Sequence, residues 1–296
     1  MFPAATYAQR RTELVQRMAA RLGSGVVLLP GHGDSPINYR DNAYPFRQDS
    51  TLLYFCGISQ PGVALLIDCD SGRSTLLADE PHPDDIVWTG PVPERGDWAA
   101  RAGIEGHARL ADLPELLAAF ERAGRAVHRL PAARGGGTHP VSAALLQAVV
   151  AMRAVKSDEE VAEIEAVLHH TRDMHLLAMK LARTGTVEQA VVGAMEGLLL
   201  QRGLRTAYPS IFSSRGEILH NHHHDRVLRD GDIVVNDSGA ESPLGYASDI
   251  TRTIPASGRF TPLQREVYDL VLAAHQQAIA MLRPGVPYRQ VHQHAC

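Results

Sequence analysis

The stretch Val235-Asn236-Asp237-Ser238-Gly239-Ala240, followed by Tyr246-Ala247-Ser248-Asp249-Ile250-Thr251-Arg252-Thr253, constrains this chain more than any other. Apolar and β-branched residues lead up to each aspartate, and the intervening Ser238 to Gly245 is rich in small residues and holds Pro243. The segment is therefore predicted to form two strands joined by a turn. Such a strand pair can set two carboxylates face to face. Like charges held close in a buried place repel, so either one side chain takes up a proton or a cation sits between them. Carboxylate oxygens suit hard divalent ions such as Mn²⁺, Mg²⁺ or Zn²⁺, and two carboxylates can bridge a pair of them. Spacing alone leaves other readings open: Asp near Gly is ordinary turn chemistry, and a strand Asp can pair with an Arg such as Arg252. Alternation argues against Arg252, because Asp249, Thr251 and Thr253 share one face while Ile250 and Arg252 take the other.

A chain of 296 residues with 45% hydrophobic content has room for two packed domains. Its net charge of -4 and pI near 6.4, without a long basic run, leave no electrostatic footprint for nucleic acid or an anionic membrane. No apolar run reaches the roughly 18 residues of a membrane span. The N-terminus leads straight into a helical pattern over Tyr7 to Leu22 with no leader-like sequence. The three cysteines, Cys56, Cys69 and Cys296, include no close-spaced pair. They fit a reducing cytoplasm, with Cys56 and Cys69 read as core residues.

Helical and strand signals alternate through the first half. After the opening helix, Gly25 to Leu29, Val63 to Ile67, Thr75 to Ala78 and Ala126 to Leu130 read as strands, and Leu113 to Arg122 as a helix. This pattern predicts an α/β domain with a mixed sheet. Arg134-Gly135-Gly136-Gly137-Thr138 is read as a flexible turn, since no phosphate-loop Lys-Ser or Lys-Thr follows it. A second unit opens near Lys156, with Ser157 and Glu160 as a capping box ahead of a long amphipathic helix. Thr186 is predicted to cap the next helix, Val187 to Gln201. A later helix, Leu263 to Leu282, carries Val267, Leu270, Val271 and Ala274 on one stripe, and another begins at Tyr288. The boundary is expected at residues 152 to 156, giving domains 1–152 and 153–296.

Two groups of residues in this order resemble one family. Ile218-Leu219-His220, Arg229-Asp230-Gly231-Asp232-Ile233-Val234, Asp237-Ser238-Gly239-Ala240 and Ser248-Asp249-Ile250-Thr251-Arg252-Thr253 resemble the catalytic domain of Xaa-Pro aminopeptidases and prolidases. Asp41-Asn42-Ala43-Tyr44-Pro45-Phe46-Arg47-Gln48-Asp49-Ser50, then Tyr54-Phe55-Cys56-Gly57, resembles the N-terminal domain of aminopeptidase P. The resemblance implies an α/β (α+β) protein: an N-terminal mixed-sheet domain followed by a pita-bread domain. It implies two divalent metal ions, Mn²⁺ in the first place, held by two Asp, one His and two Glu. Asp237 then binds one metal with both oxygens, Asp249 bridges the two, and His220 sits beside them and helps hold the substrate. The implied reaction is removal of the residue ahead of proline from a peptide's N-terminus, in a homo-oligomer. An ordinary strand histidine is the alternative for His220, and a separate site built from His220, His222 and His224 is another.

The sequence departs from that family in one respect. The further His and the two Glu belong to the second half of the pita-bread fold, after the helix that begins near Tyr288, and residues up to Cys296 do not supply them. The pita-bread domain is therefore expected to be incomplete here and, on these residues alone, nearly inactive. A fragment of an ordinary enzyme, a non-catalytic binding module and completion in trans all fit that expectation. Among relatives of the fold, retention of both aspartates disfavours a metal-free amidinohydrolase, and aminopeptidase is preferred over dipeptidase. Trp88 corresponds to a region that reaches a neighbouring subunit in such enzymes, but a core position is expected for it.

Overall fold

Continuous apolar runs such as Val63-Ala64-Leu65-Leu66-Ile67 have no polar face to turn to water, and the structure gives both of their faces a cover. The computed structural model describes residues 1–22, 24–39, 41–131 and 140–296. The Gly-rich turn expected at residues 134–138 lies outside them.

The first unit, Met1–Val161, is built from helix α1 (Ala4–Leu22), strand β1 (Val26–Pro30), α2 (Ser50–Cys56), β2 (Val63–Asp68) and β3 (Ser74–Ala78). Then follow α3 (Pro83–Thr89), α4 (Arg95–Arg101), β4 (Gly106–Ala108), α5 (Leu113–Arg122), β5 (Val127–Arg129) and α6 (Ala143–Ala154). The strands order as β4-β3-β2-β1-β5, with β1, β2 and β3 antiparallel and the two outer pairings parallel, so the sheet is mixed as expected. Val27, Leu29, Leu65, Ile67 and Leu76 face one core with Leu14, Met18 and Phe55. Val26, Leu28, Ala64, Leu66 and Leu77 face the other, under Leu113, Leu117 and Phe120 of α5.

Trp88 corrects an expectation. It is 86% exposed, on a seven-residue helix that buries no residue and also exposes Val87. Aromatic character favours burial only where an element packs, and α3 is held by its own capping box at His82 and Asp85 instead.

The second unit, Ala162–Cys296, takes in all but the first turn of α7 (Asp158–Leu181). The expected capping box forms: Ser157 N–H donates to Glu160 Oε2 at 2.9 Å, and Glu160 N–H to Ser157 Oγ at 3.4 Å. Next come α8 (Glu188–Gln201), β6 (Arg205–Thr206), β7 (Ile211–Ser213), β8 (Ile233–Ser238), β9 (Ala240–Glu241), β10 (Ile250–Pro255), α9 (Pro262–Met281) and α10 (Tyr288–Ala295). Thr186 is not the cap of α8. Val187 occupies that position without a side-chain bond. The first N–H groups of α8 donate instead to main-chain carbonyls: Glu188 to Arg226 at 2.9 Å and Gln189 to His224 at 2.8 Å.

An antiparallel sheet β10-β8-β7 and a two-stranded ribbon β6-β9 make up the β structure of this unit. Val167, Met174, Ala178 and Ala182 recur at helical spacing and pack with Val191, Met195 and Leu199 against Phe212, Val234 and Ile254. Helix α9 forms as expected, but its stripe is open: Val267, Leu270 and Val271 are 53%, 67% and 64% exposed.

Candidate metal centre

Strand alternation decides where each side chain of the aspartate segment goes. In the observed register Asp237 lies opposite Thr251, Asn236 opposite Arg252 and Ser238 opposite Ile250, with Asp249 just before β10. Asp237 and Asp249 thus share a face, as alternation requires. The expected simple turn between the strands is itself a small hairpin: β9 pairs with β6, Glu241 bridges Ala247, and Ser242 N–H donates to Tyr246 O at 2.8 Å.

Gly239 is what lets the two segments touch. A Cβ there would stand 1.8 Å from the carbonyl oxygen of Ser248 and 3.3 Å from Asp249 Cα. No residue with a side chain fits between them. Ser248 N–H then donates to Ala240 O at 2.9 Å and closes the pair.

The two carboxylates converge on Tyr208. Its hydroxyl lies 2.6 Å from Asp237 Oδ1 and 2.8 Å from Asp249 Oδ1. Tyr208 is put there by the β6-β9 ribbon and by Ala207 N–H, which donates to Gly239 O at 2.9 Å. One O–H donates to one acceptor at a time, so three oxygens meet over a single proton. A second proton or a cation completes such a cluster. Burial first, and then both aspartates, push the Tyr208 phenol well above its ordinary range, so the hydroxyl keeps its proton.

The premise of a buried pair needs correction: Asp237 is half-buried and Asp249 exposed, so water screens part of their repulsion. Among the described residues neither aspartate forms an ion pair with Arg or Lys. Arg252 donates to Thr251 O instead.

His220 sits in a turn beyond β7 and is exposed. Among the described residues no three His, Cys, Asp or Glu group together at metal-holding positions, so neither His220 with the two aspartates nor His220, His222 and His224 form such a cluster. His224 turns its Nδ1 to Phe212 O at 3.1 Å. The donor set here therefore fits part of a hard-cation site: two carboxylates with convergent oxygens, against the six or so oxygen ligands such ions prefer.

Beneath the strands lie residues that sequence reasoning missed. His175 of α7 is buried, and its Nδ1 accepts from Asn236 Nδ2 at 3.1 Å while Nε2–H donates to Ser238 O at 3.3 Å. Burial, with Arg252 adding to it, holds its pKa below the ordinary histidine value, so the ring is neutral. Tyr208 and His175 lie far along the chain from their partners, and only the Tyr208-Pro209 pair, an extended-backbone signal, hinted at the former.

Residues 143–296 match Metallopeptidase family M24, and residues 7–128 match Aminopeptidase P, N-terminal domain. These matches define a metallopeptidase-class α/β protein with an aminopeptidase P type N-terminal domain. The chain is 30% identical to the Xaa-Pro aminopeptidase of Escherichia coli K12, over 96% of its own length and 69% of that protein. It is 28% identical to a probable Xaa-Pro aminopeptidase of Chaetomium globosum, over 96% of its length but 50% of the relative, so it spans about half of that protein. The structure of zinc-substituted E. coli aminopeptidase P in complex with product superposes with a TM-score of 0.84 at 25% identity, covering 100% of this chain and 72% of that one. The chain belongs to Metallopeptidase family M24.

Proposed function

We propose that this chain is part of a metal-dependent Xaa-Pro aminopeptidase that removes the N-terminal residue of peptides with proline in second place. In this reading residues 1–152 form the N-terminal domain and residues 153–296 belong to the pita-bread metallopeptidase domain. Asp237 and Asp249 are ligands of two divalent ions, Mn²⁺ by preference, and His220 holds the substrate beside the scissile bond. The protein works as a homo-oligomer in the cytoplasm. The observation that carries the reading is the meeting of both carboxylate oxygens on the Tyr208 hydroxyl, an oxygen-rich point short of positive charge.

A bound divalent ion there would supply Lewis-acid activation of water and of the peptide carbonyl. The chain's own residues hold and aim it. Asp237 and Asp249 give the negative charge, Tyr208 fixes their oxygens, and the exposed imidazole of His220 is free to meet a peptide. Exposure of Trp88 and Val87 on α3 supports a surface for self-association.

The test joins three measurements on the protein from its natural source: intact mass, metal content, and turnover of Xaa-Pro against Xaa-Ala peptides. Proline-dependent cleavage that needs Mn²⁺ and is lost in Asp237→Asn and Asp249→Asn is expected. Cleavage that survives both substitutions refutes the assignment.

A further inference from the structure

Helix α7 grips both carboxylate-bearing segments through two buried side chains one turn apart, Thr171 and His175. His175 binds the neighbours of Asp237 on either side: Nδ1 accepts from Asn236 Nδ2 at 3.1 Å, and Nε2 lies 3.3 Å from both the carbonyl oxygen and Oγ of Ser238. Ser238 Oγ in turn donates to Asn236 Oδ1 at 3.0 Å. Thr171 binds the neighbour of Asp249: its Oγ1 lies 2.5 Å from Ser248 Oγ and accepts from Ala240 N–H at 3.0 Å. Ser248 Oγ closes the set by donating to Ala240 O at 3.0 Å. Each side chain in this network is buried, and each of its polar side-chain atoms has a hydrogen-bond partner.

The arrangement is asymmetric in a telling way. Asn236 and Ser238 point to the helix while Asp237, between them, points to the opposite face. Apolar residues at 236, 238 and 248 would bury the same surface without fixing where the strands sit along the helix. Directional bonds fix it.

We propose that Thr171 and His175 are positioning residues that set the separation of Asp237 and Asp249 by holding residues 236, 238 and 248 against one rigid helix. The proposal rests on the reading of the two aspartates as metal ligands, and assigns α7 the task of keeping that pair at the spacing a divalent ion accepts. Outer partners of metal ligands commonly influence affinity about 10- to 100-fold.

The experiment uses the full chain and two readouts. The first needs no metal: the ¹³Cζ resonance of Tyr208, assigned with Tyr208→Phe, reports whether one hydroxyl still spans both carboxylates. The second is Mn²⁺ affinity by electron paramagnetic resonance. Thr171→Val and His175→Leu, both folded by amide spectra, should shift the Tyr208 resonance and weaken Mn²⁺ about 10- to 100-fold. Thr171→Ser and His175→Gln, which keep the hydrogen-bonding atoms, should restore both. If His175→Leu does not fold, Thr171→Val decides. A wild-type Tyr208 resonance in folded Thr171→Val overturns the proposal. Wild-type protein that takes up no Mn²⁺ overturns the metal reading instead, while the resonance still decides the positioning role.

Discussion

Adding one methyl group at Gly239 and one at Gly193 should move stability in opposite directions. At Gly239 the new Cβ stands 1.8 Å from the carbonyl oxygen of Ser248, against an ordinary carbon–oxygen contact of roughly 3.3 Å. The obstacle is main chain, so no rotamer change relieves it. The two segments must part by about 1.5 Å, which carries the Ser248 N–H to Ala240 O bond, now 2.9 Å, out of hydrogen-bonding range. The Ala240 N–H bond to Ser248 Oγ and the Ser248 Oγ bond to Ala240 O go with it. At about 1 kcal/mol for each lost bond, Gly239→Ala costs roughly 3 kcal/mol, within the range of an overpacked interior. That is about a hundredfold in the folded-to-unfolded ratio and on the order of 10 °C in the melting of the second unit.

At Gly193, in α8, nothing lies within 4 Å of the added atom. Alanine there should stabilise by about 0.5–1 kcal/mol, because it lowers the backbone entropy lost on helix formation. Urea unfolding of both variants, followed by the helical signal, gives the comparison. Gly239→Ala within about 0.5 kcal/mol of wild type would refute the close-approach argument.

Tyr208→Phe removes the hydroxyl between the two aspartates and should lower stability by about 1 kcal/mol, with an unfolding midpoint that rises more steeply with salt than wild type does; equal salt dependence would show that the carboxylates do not repel. Burial holds His175 below the pKa of about 6.5 that it has when unfolded, so the unfolded chain binds a proton the folded one refuses as pH drops through that value. Its stabilising share is whole above about pH 6.5 and shrinks below it, and a urea midpoint in His175→Gln that falls as steeply with acid as wild type would contradict this. Burial pushes the Cys56 thiol up to about 12 and the Cys69 thiol up to about 11, whereas Cys296 is exposed. A thiol reagent at neutral pH should therefore modify Cys296 alone until the protein unfolds, and rapid reaction of a second thiol in the native state would contradict the buried placement.

What the sequence discloses here tracks how far a residue's partners lie along the chain. The Ser157 and Glu160 cap is three residues wide and reads directly. The strands at 63–67 and 75–78 read from apolar runs because the sheet covers both their faces. Asp237 and Asp249 read as a pair because alternation and one turn connect them. Thr186 misleads because the donors of α8 find carbonyls of His224 and Arg226, which no local pattern announces. Trp88 misleads because hydrophobicity does not tell whether a short helix packs. Tyr208 and His175 escape notice for the first reason again: their partners at 236 to 249 lie dozens of residues away.

The polar identity of residues 236 and 238 completes the physical argument. Shifting a strand by one residue exchanges its faces, so β8 displaced by one would turn Asp237 toward the buried helix face and Asn236 and Ser238 toward the open one. An apolar floor would penalise that slip by exposing its own side chains and by burying a charge. Here the slip also strands His175, whose two ring nitrogens would lose Asn236 and Ser238 inside the protein at about 1–3 kcal/mol for each unsatisfied group. A buried hydrogen-bonded floor therefore fixes the register of β8 through bonds that require Asn236 and Ser238 to face His175. The placement of Asp237 follows from that register, which makes residues 171, 175, 236 and 238 as much a part of the carboxylate pair as the aspartates themselves.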